Sequence, residues 1–298
     1  MTVRISRLTK SFVVSLVVAC LLFLSAARPA SAAEQVRFIV TDLEGLEEVQ
    51  REFGAFRDLI ERETGLDMKF YPVSNRTAAV EAIRARKAEL ILTGPAEYVV
   101  IRKMTNARPI MAFSRPDYYC SIVVRADSGI NRITDLKGKK VSFEDVGSTS
   151  NHLAPSQVMK DAGLDPTRDI EAVFTSNEIA WEALKKGDIA AWATNHDDYR
   201  ELRARETEMP PGAFKVIGRG PDLPNDVLVA GRHTSNGVIS KIRRAITDNS
   251  DALIRAILKG EENAKYEGMM FLPTVKDADY DYVREMYAAI GKPQFARK

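Results

Sequence analysis

The sequence predicts an α/β protein of two successive modules built on mainly parallel sheets. Three observations predict it. From residue 36 onward, short apolar strand-like runs alternate with amphipathic helix-like runs, the pattern of a parallel sheet flanked by helices. A second series of the same alternation starts at Tyr118. No Pro/Gly/Ser-rich linker separates the two series, so strands are expected to cross between the modules. At 298 residues, 45% hydrophobic and 28% charged, the chain has a globular composition with room for two modest domains.

The first segment lies outside this pattern. Arg4, Arg7 and Lys10 precede the apolar run SFVVSLVVACLLFLSAA, and ARPASAAEQ follows with small residues at cleavage spacing. Residues 1–32 are therefore expected to be a secretory signal peptide, cut after Ala32. The rival reading is a membrane anchor, but the apolar core from Phe12 to Ala27 is shorter than the roughly 20 residues needed to span a bilayer. Cys20, in VVAC, is a possible lipid-attachment residue. Apolar sequence continues past it as LLFL and the better cleavage signal lies downstream, so it reads as a leader residue. Without the four basic residues of the leader, 39 basic residues remain against 41 acidic ones. A near-neutral, slightly acidic chain is a poor general nucleic-acid binder. Only Cys120 remains after the leader, so no internal disulfide is possible; in YYCSIVV it reads as a buried small hydrophobe.

Each element follows from its local pattern. VRFIVTD is a buried strand. EEVQREFGAFRDLIERETG is an amphipathic helix with Phe53, Phe56, Leu59 and Ile60 on one side, stopped by Gly65. MKFYPV is a strand, and SNRTAAVEAIRARKAE a helix capped by Ser74 or Asn75. LILTGPAEY is a strand ending in a Gly-Pro turn. In the second module YYCSIVVRADSGI is a strand and turn, ITDLKG a short helix and KKVSFED a strand. HLAPSQVMKDAG is a helix, DIEAVFTS a strand, NEIAWEALKKGD a helix, IAAWATN a strand, DDYRELRARET a helix and FKVIGRG a strand. After PDLPND come the strand VLVAGR and helices near 238–259 and 279–290. Trp181 and Trp192 fall on helix and strand patterns and read as core.

VSFEDVGSTSNHLAP carries the chemistry. A strand ends, Gly147 permits an unusual turn, and Ser148, Thr149 and Ser150 stand at the mouth of a helix. The first N–H groups of a helix lack internal partners and sit at its positive end. An oxyanion placed there gains several donors, and hydroxyls add more without bringing countercharge. Simple capping by one of the three is the bland alternative. Catalytic constellations are missing. Ser148 and His152 are four apart, yet no acid is placed to orient the histidine, and there is no G-x-S-x-G elbow. His152, His196 and His233 are scattered, NHDDY lacks zinc or EF-hand spacing, and no P-loop or dinucleotide fingerprint occurs. The expectation is a binding protein without cofactor or metal, not an enzyme.

Many separate loops carry one resemblance. DSGI at 127–130, DLKGK at 135–139, F-x-D at 143–145, STS at 148–150, Leu153 with Pro155 and AGLDP at 162–166 match in order. So do TGPAEYV at 93–99, SNEIAWEALKKGD at 176–188 and LPND at 223–226. The chain resembles the periplasmic phosphonate/phosphite/phosphate-binding proteins of ABC importers, the PhnD-like family, over essentially all of its length after the leader. The resemblance implies a two-lobed periplasmic binding protein fold, type II-like, with the ligand held between lobes. Lobe one is expected at 34–118 plus 227–298 and lobe two at 119–226, with two crossover strands as the hinge. It also implies that Ser148, Thr149 and Ser150 bind the phosphorus oxyanion. Tyr98 matches the tyrosine after the Gly-Pro turn, and Asp226 the acid of the crossover. Asp198 falls near the acid after the A-T-N strand, with Asp197 equally possible.

Two positions depart from the family pattern. Its histidine in S-H-x-A is Asn177 here, and its tyrosine before the second helix is Arg76. Asparagine cannot become cationic, whereas an inward arginine holds two oxygens in a fork. Arg76 also fits a solvated helix-start residue. An added cation and a lost imidazole favour a compact oxyanion such as phosphate, phosphite or methylphosphonate over an amine-bearing phosphonate. The acids select by accepting a hydrogen bond from a P–OH or an ammonium. The implied partners are a small oxyanion and the permease of an inner-membrane importer. A receptor feeding a sensor kinase, or one for a sulfonate or another small organic ligand, is the alternative.

Overall fold

The computed structural model describes residues 33–43 and 45–296; the side chain of Arg76 is also outside the described set. The expected leader, its cleavage after Ala32 and the Cys20 reading thus lie outside the described residues. Among the described residues no helix is long and apolar enough to cross a membrane.

The chain opens with β1 (Gln35–Val40), α1 (Leu46–Thr64), β2 (Asp67–Phe70), α2 (Arg76–Arg84), β3 (Leu90–Thr93), α3 (Pro95–Thr105) and β4 (Arg108–Phe113). Of these, α1 shows why the local pattern holds. Val49, Phe53, Phe56, Leu59 and Ile60 recur at helical spacing and are all buried. Phe56 meets Phe38 of β1 and Phe113 of β4 at ring separations of 6.3 and 5.9 Å, so one helix face seals one face of the sheet. The helix stops at Gly65, whose φ of 67° is costly for other residues and whose N–H closes on Glu61. Asn75, not Ser74, caps α2 by accepting from the Ala78 N–H.

The chain then builds a second sheet. It runs through β5 (Cys120–Arg125), β6 (Lys140–Phe143), a π-helical turn (Thr149–Leu153) leading into α4 (Ala154–Asp161), and β7 (Glu171–Phe174). Next come α5 (Asn177–Lys186), β8 (Ala191–Asn195), α6 (His196–Arg205) and β9 (Phe214–Arg219). It returns to the first sheet with β10 (Asp226–Ala230), followed by α7 (Asn236–Asp248), α8 (Ser250–Ile257), β11 (Phe271–Leu272) and α9 (Asp281–Ala289).

The six-stranded sheet has the order β11-β4-β10-β3-β1-β2 and the five-stranded sheet the order β7-β6-β8-β5-β9. The expected pair of α/β sheets is present, but the pairing is mixed rather than mainly parallel. Only β2-β1-β3 and β7-β6-β8 are parallel runs. The strands that leave or re-enter a sheet, β4, β5, β9 and β10, pair antiparallel. The cause is topological: a strand arriving from the other sheet has no crossover helix to reverse it.

The two crossings, at 114–119 and 220–225, run side by side. The Leu223 N–H donates to the Tyr118 carbonyl at 2.8 Å, and the Arg115 N–H to the Asn225 side chain at 3.0 Å. Gly220 is needed here, because a Cβ would lie 2.7 Å from the sulfur of Cys120. Cys120 is fully buried, as its strand pattern predicts, and burial pushes its thiol up to about 12. Trp181 and Trp192 are core, with rings 5.8 Å apart.

Candidate functional site

Between the two sheets lies a cleft of about 1110 Å³. One wall is the turn after β6. Gly147 adopts φ 96°, which lets the chain reverse from the strand into the π-helical turn. The neutral imidazole of His152 fastens that reversal, its Nδ1 accepting from the Gly147 N–H at 3.0 Å. Burial holds its pKa down, to about 4, so the ring remains an acceptor. His152 Nδ1 is thus occupied by a main-chain donor.

Ser148, Thr149 and Ser150 all line the cleft and all are nearly buried. Ser148 caps the turn, accepting weakly from the Asn151 N–H at 3.4 Å. Thr149 Oγ1 accepts from the N–H of Ala96, in the first turn of α3, at 3.0 Å. That bond joins the two sheets' helices across the cleft. An acceptor hydroxyl keeps its own proton to give, so Ser148 and Thr149 each retain a donor. Ser150 donates to Asn151 Oδ1 at 2.9 Å and also bonds the hydroxyl of Tyr118.

Below the hydroxyls, two carboxylates share two amides. Asn177 Nδ2 donates to Asp198 at 2.7 Å and to Glu144 at 3.2 Å. Asn151 Nδ2 donates to the same Asp198 oxygen at 3.1 Å and makes a short bond to Glu144. The Trp192 indole N–H closes the set on Asn177 Oδ1 at 3.2 Å. Burial raises the pKa of Asp198, and the amides of Asn151 and Asn195 oppose that rise. Asp197 and Asp198 both line the cleft, and Asp198 is the one tied into this network. Asn177 lies behind the wall and orients the acids.

The crossings form the cleft floor. Asp226 begins β10 with 1% of its surface exposed, and its Oδ2 accepts the Tyr266 hydroxyl at 2.7 Å. Arg115, on the other crossing, lies with its guanidinium carbon 3.7 Å from the centroid of the Tyr118 ring. Asp226 was foreseen from the sequence; Arg115, Tyr118, Glu144 and Asn151 were not. The available signal was position: SRPDYY is the first crossing as LPND is the second, so Arg115 has the same claim to the floor as Asp226.

Two sequence expectations are corrected or left aside. Tyr98 does not line the cleft. It is fully buried, stacks on Tyr280 at 4.4 Å and gives its hydroxyl proton to Asp277 at 2.8 Å. The reason is tertiary packing: Gly94 lines the cleft at the start of α3, while Tyr280 and Asp277 of the C-terminal segment take up the ring and hydroxyl of Tyr98. Arg76 starts α2, and its side chain is outside the described residues.

Among the described residues, ten carboxylates and five cations line the cleft. The cleft therefore offers oriented neutral donors and a few cations rather than a general positive field. Two mixed α/β sheets, joined by paired crossings and enclosing a donor-lined cleft, define a two-lobed solute-binding protein. The family model described as "ABC transporter, phosphonate, periplasmic substrate-binding protein" matches residues 38–268. The chain belongs to that family. It is 25% identical over 282 residues to the "Phosphate-import protein PhnD" of Mycolicibacterium smegmatis, covering 87% of this chain and 86% of the other. Its fold is similar to that of PhnD1 from Prochlorococcus marinus in complex with methylphosphonate, at TM-score 0.66 and 18% identity, over 87% of this chain and 99% of the other. It is also similar to that of the periplasmic aliphatic sulphonate binding protein SsuA from Escherichia coli, at TM-score 0.61 and 18% identity, over 89% of each chain.

Proposed function

We propose that the cleft captures a small tetrahedral oxyanion of phosphorus (phosphate, phosphite or a phosphonate) and presents it to the membrane permease of an ABC importer. The observation that carries this reading is the placement of Ser148, Thr149 and Ser150 together on the cleft wall, with Thr149 facing the first turn of α3. Retained hydroxyl protons and helix-start amides are the donor set that a small oxyanion uses. Residues 34–118 with 227–298 act as one lobe and 119–226 as the other, hinged at the paired crossings. Closure brings α3 over the anion and strips water from it, which strengthens each hydrogen bond. The protein works in the periplasm after loss of its leader and has no catalytic step of its own.

Arg115, rather than Arg76, is the cation that favours a compact ligand. Asn177 is committed to Glu144 and Asp198, and the cation seated on the cleft floor is Arg115, so Arg76 is not required. Calorimetric titration of the chain beginning at Ala33 tests the reading. The panel is phosphate, phosphite, methylphosphonate, 2-aminoethylphosphonate and sulfate. At least one of the first three binds tightly and sulfate does not. Tight binding of 2-aminoethylphosphonate alone ends the compact-ligand reading, and preference for sulfate ends the phosphorus reading altogether.

A further inference from the structure

Arg115 and Asp226 are an incomplete pair. They occupy the two crossings, in adjacent register: Asp226 lies opposite Phe113 in the β4–β10 ladder, and Arg115 follows two residues later. Their side chains are 9% and 2% exposed. Despite this burial the nearest approach, Nη1 to Oδ1, is 3.9 Å, too long for a hydrogen bond. Arg115 Nε and Asp226 Oδ1 are both buried with no hydrogen-bond partner among the described residues. Buried charged groups normally complete their hydrogen bonds, because an unmet donor or acceptor carries its full desolvation cost.

The surroundings hold the pair apart. Tyr118 fixes the guanidinium plane from beneath, and the Asn225 side chain fixes the Arg115 main chain. Tyr266 anchors Asp226 through its other oxygen. Tyr118 also links the pair to the hydroxyl cluster, since its ring lies under Arg115 and its hydroxyl bonds Ser150. An unmet donor and an unmet acceptor therefore stand on the floor of the same cleft as the three hydroxyls.

Resting on the reading above, in which the crossover acid Asp226 takes a P–OH, we infer that Arg115 is a ligand-binding cation that works with Asp226 around one ligand. A deprotonated oxygen of the ligand accepts from Arg115, while a neighbouring P–OH donates to Asp226 Oδ1. A sulfonate of the same shape offers the acceptors but no proton, and so leaves Asp226 facing a bare oxygen.

Methylphosphonate and methanesulfonate are the probes, titrated calorimetrically into the wild-type chain and into Arg115→Gln, Asp226→Asn and Thr149→Ala. Wild type binds methylphosphonate at least 100-fold more tightly than methanesulfonate. Arg115→Gln, with an unchanged melting temperature, loses about 100-fold in methylphosphonate affinity, the scale of removing one partner from a buried charge contact. Asp226→Asn narrows the phosphonate-to-sulfonate ratio at least tenfold, because an amide N–H can meet a sulfonate oxygen. If Arg115→Gln is unstable, the wild-type Nε–H resonance of Arg115, assigned by its disappearance in Arg115→Lys, shifts on adding methylphosphonate. Three results overturn the inference while leaving the family reading intact, provided Thr149→Ala still weakens binding. They are Arg115→Gln within threefold of wild type, an unmoved Nε–H resonance, or an unchanged ratio in Asp226→Asn. A wild-type chain that binds no phosphorus oxyanion at all defeats the proposed function itself.

Discussion

At the scale of single residues, the hydroxyl turn depends on a histidine that does no chemistry. His152 is 9% exposed and stays neutral because burial lowers its pKa to about 4, well below the usual value near 6.5. Its Nδ1 then accepts the Gly147 N–H that shapes the turn. The sign of the pH effect follows. The unfolded chain takes up the proton first as pH falls below about 6.5, so the stabilising contribution is whole above that pH and lost progressively toward pH 4. The loss amounts to at most about 3 kcal/mol. Melting temperatures measured from pH 7.5 to 4.5 should fall less steeply in His152→Gln than in wild type. Parallel curves for the two would show that other groups set the acid sensitivity.

At the scale of elements, α1 secures the six-stranded sheet and holds the β1 and β3 ends in place beside the cleft. Phe56 sits where Phe38, Phe53 and Phe113 converge, so its loss leaves a cavity among side chains of three elements. Phe56→Ala should destabilise the protein by about 3–5 kcal/mol in denaturant titration. Ligand affinity of the fraction still folded should change little, because the ring is absent from the cleft lining. A loss under 1 kcal/mol would mean that the neighbouring rings collapse into the space. The helix start at 149 teaches a related point. The periodicity suggested one helix beginning at His152, whereas Thr149–Leu153 forms a wider π-helical turn ahead of α4. A π turn redirects side chains locally, and here it places three successive polar residues, Ser148 to Ser150, on the cleft wall.

At the scale of the whole molecule, the last helix connects both halves of the structure. Val283, Met286 and Tyr287 of α9 share one apolar cluster with Val99 of α3, Cys120 of β5 and Leu153 and Ala154 of the hydroxyl helix. Tyr287 donates to the Ala96 carbonyl at 2.9 Å, while the Ala96 N–H donates to Thr149. One residue, Ala96, thus ties the C-terminal helix to the site. Tyr287→Phe removes a buried hydrogen bond and should cost about 1 kcal/mol. It should also weaken methylphosphonate binding severalfold, read by calorimetry, because the first turn of α3 loses its brace. An affinity equal to wild type would assign Tyr287 to stability alone.

The sequence by itself determined most of the elements, because 3.6- and 2-residue periodicities, Gly65, Gly147 and the caps are local properties of the chain, but it did not reveal the helix Pro95–Thr105 or the strands Arg108–Phe113 and Phe271–Leu272. It also put Ser148, Thr149 and Ser150 at a strand end, and the family resemblance pointed to Asp226; all four line the cleft. Only the tertiary structure decided which of several polar residues share the cleft. Tyr98 turned away because Tyr280 and Asp277 of the C-terminal segment take up its ring and hydroxyl, and Asn177 became a brace for Asp198 and Glu144 rather than a wall residue. Arg115 came to face Asp226 because two segments more than a hundred residues apart run side by side. Strand direction, the seating of Tyr98 and the pairing of distant crossings are settled by packing between elements, and that packing leaves no local signature in the chain.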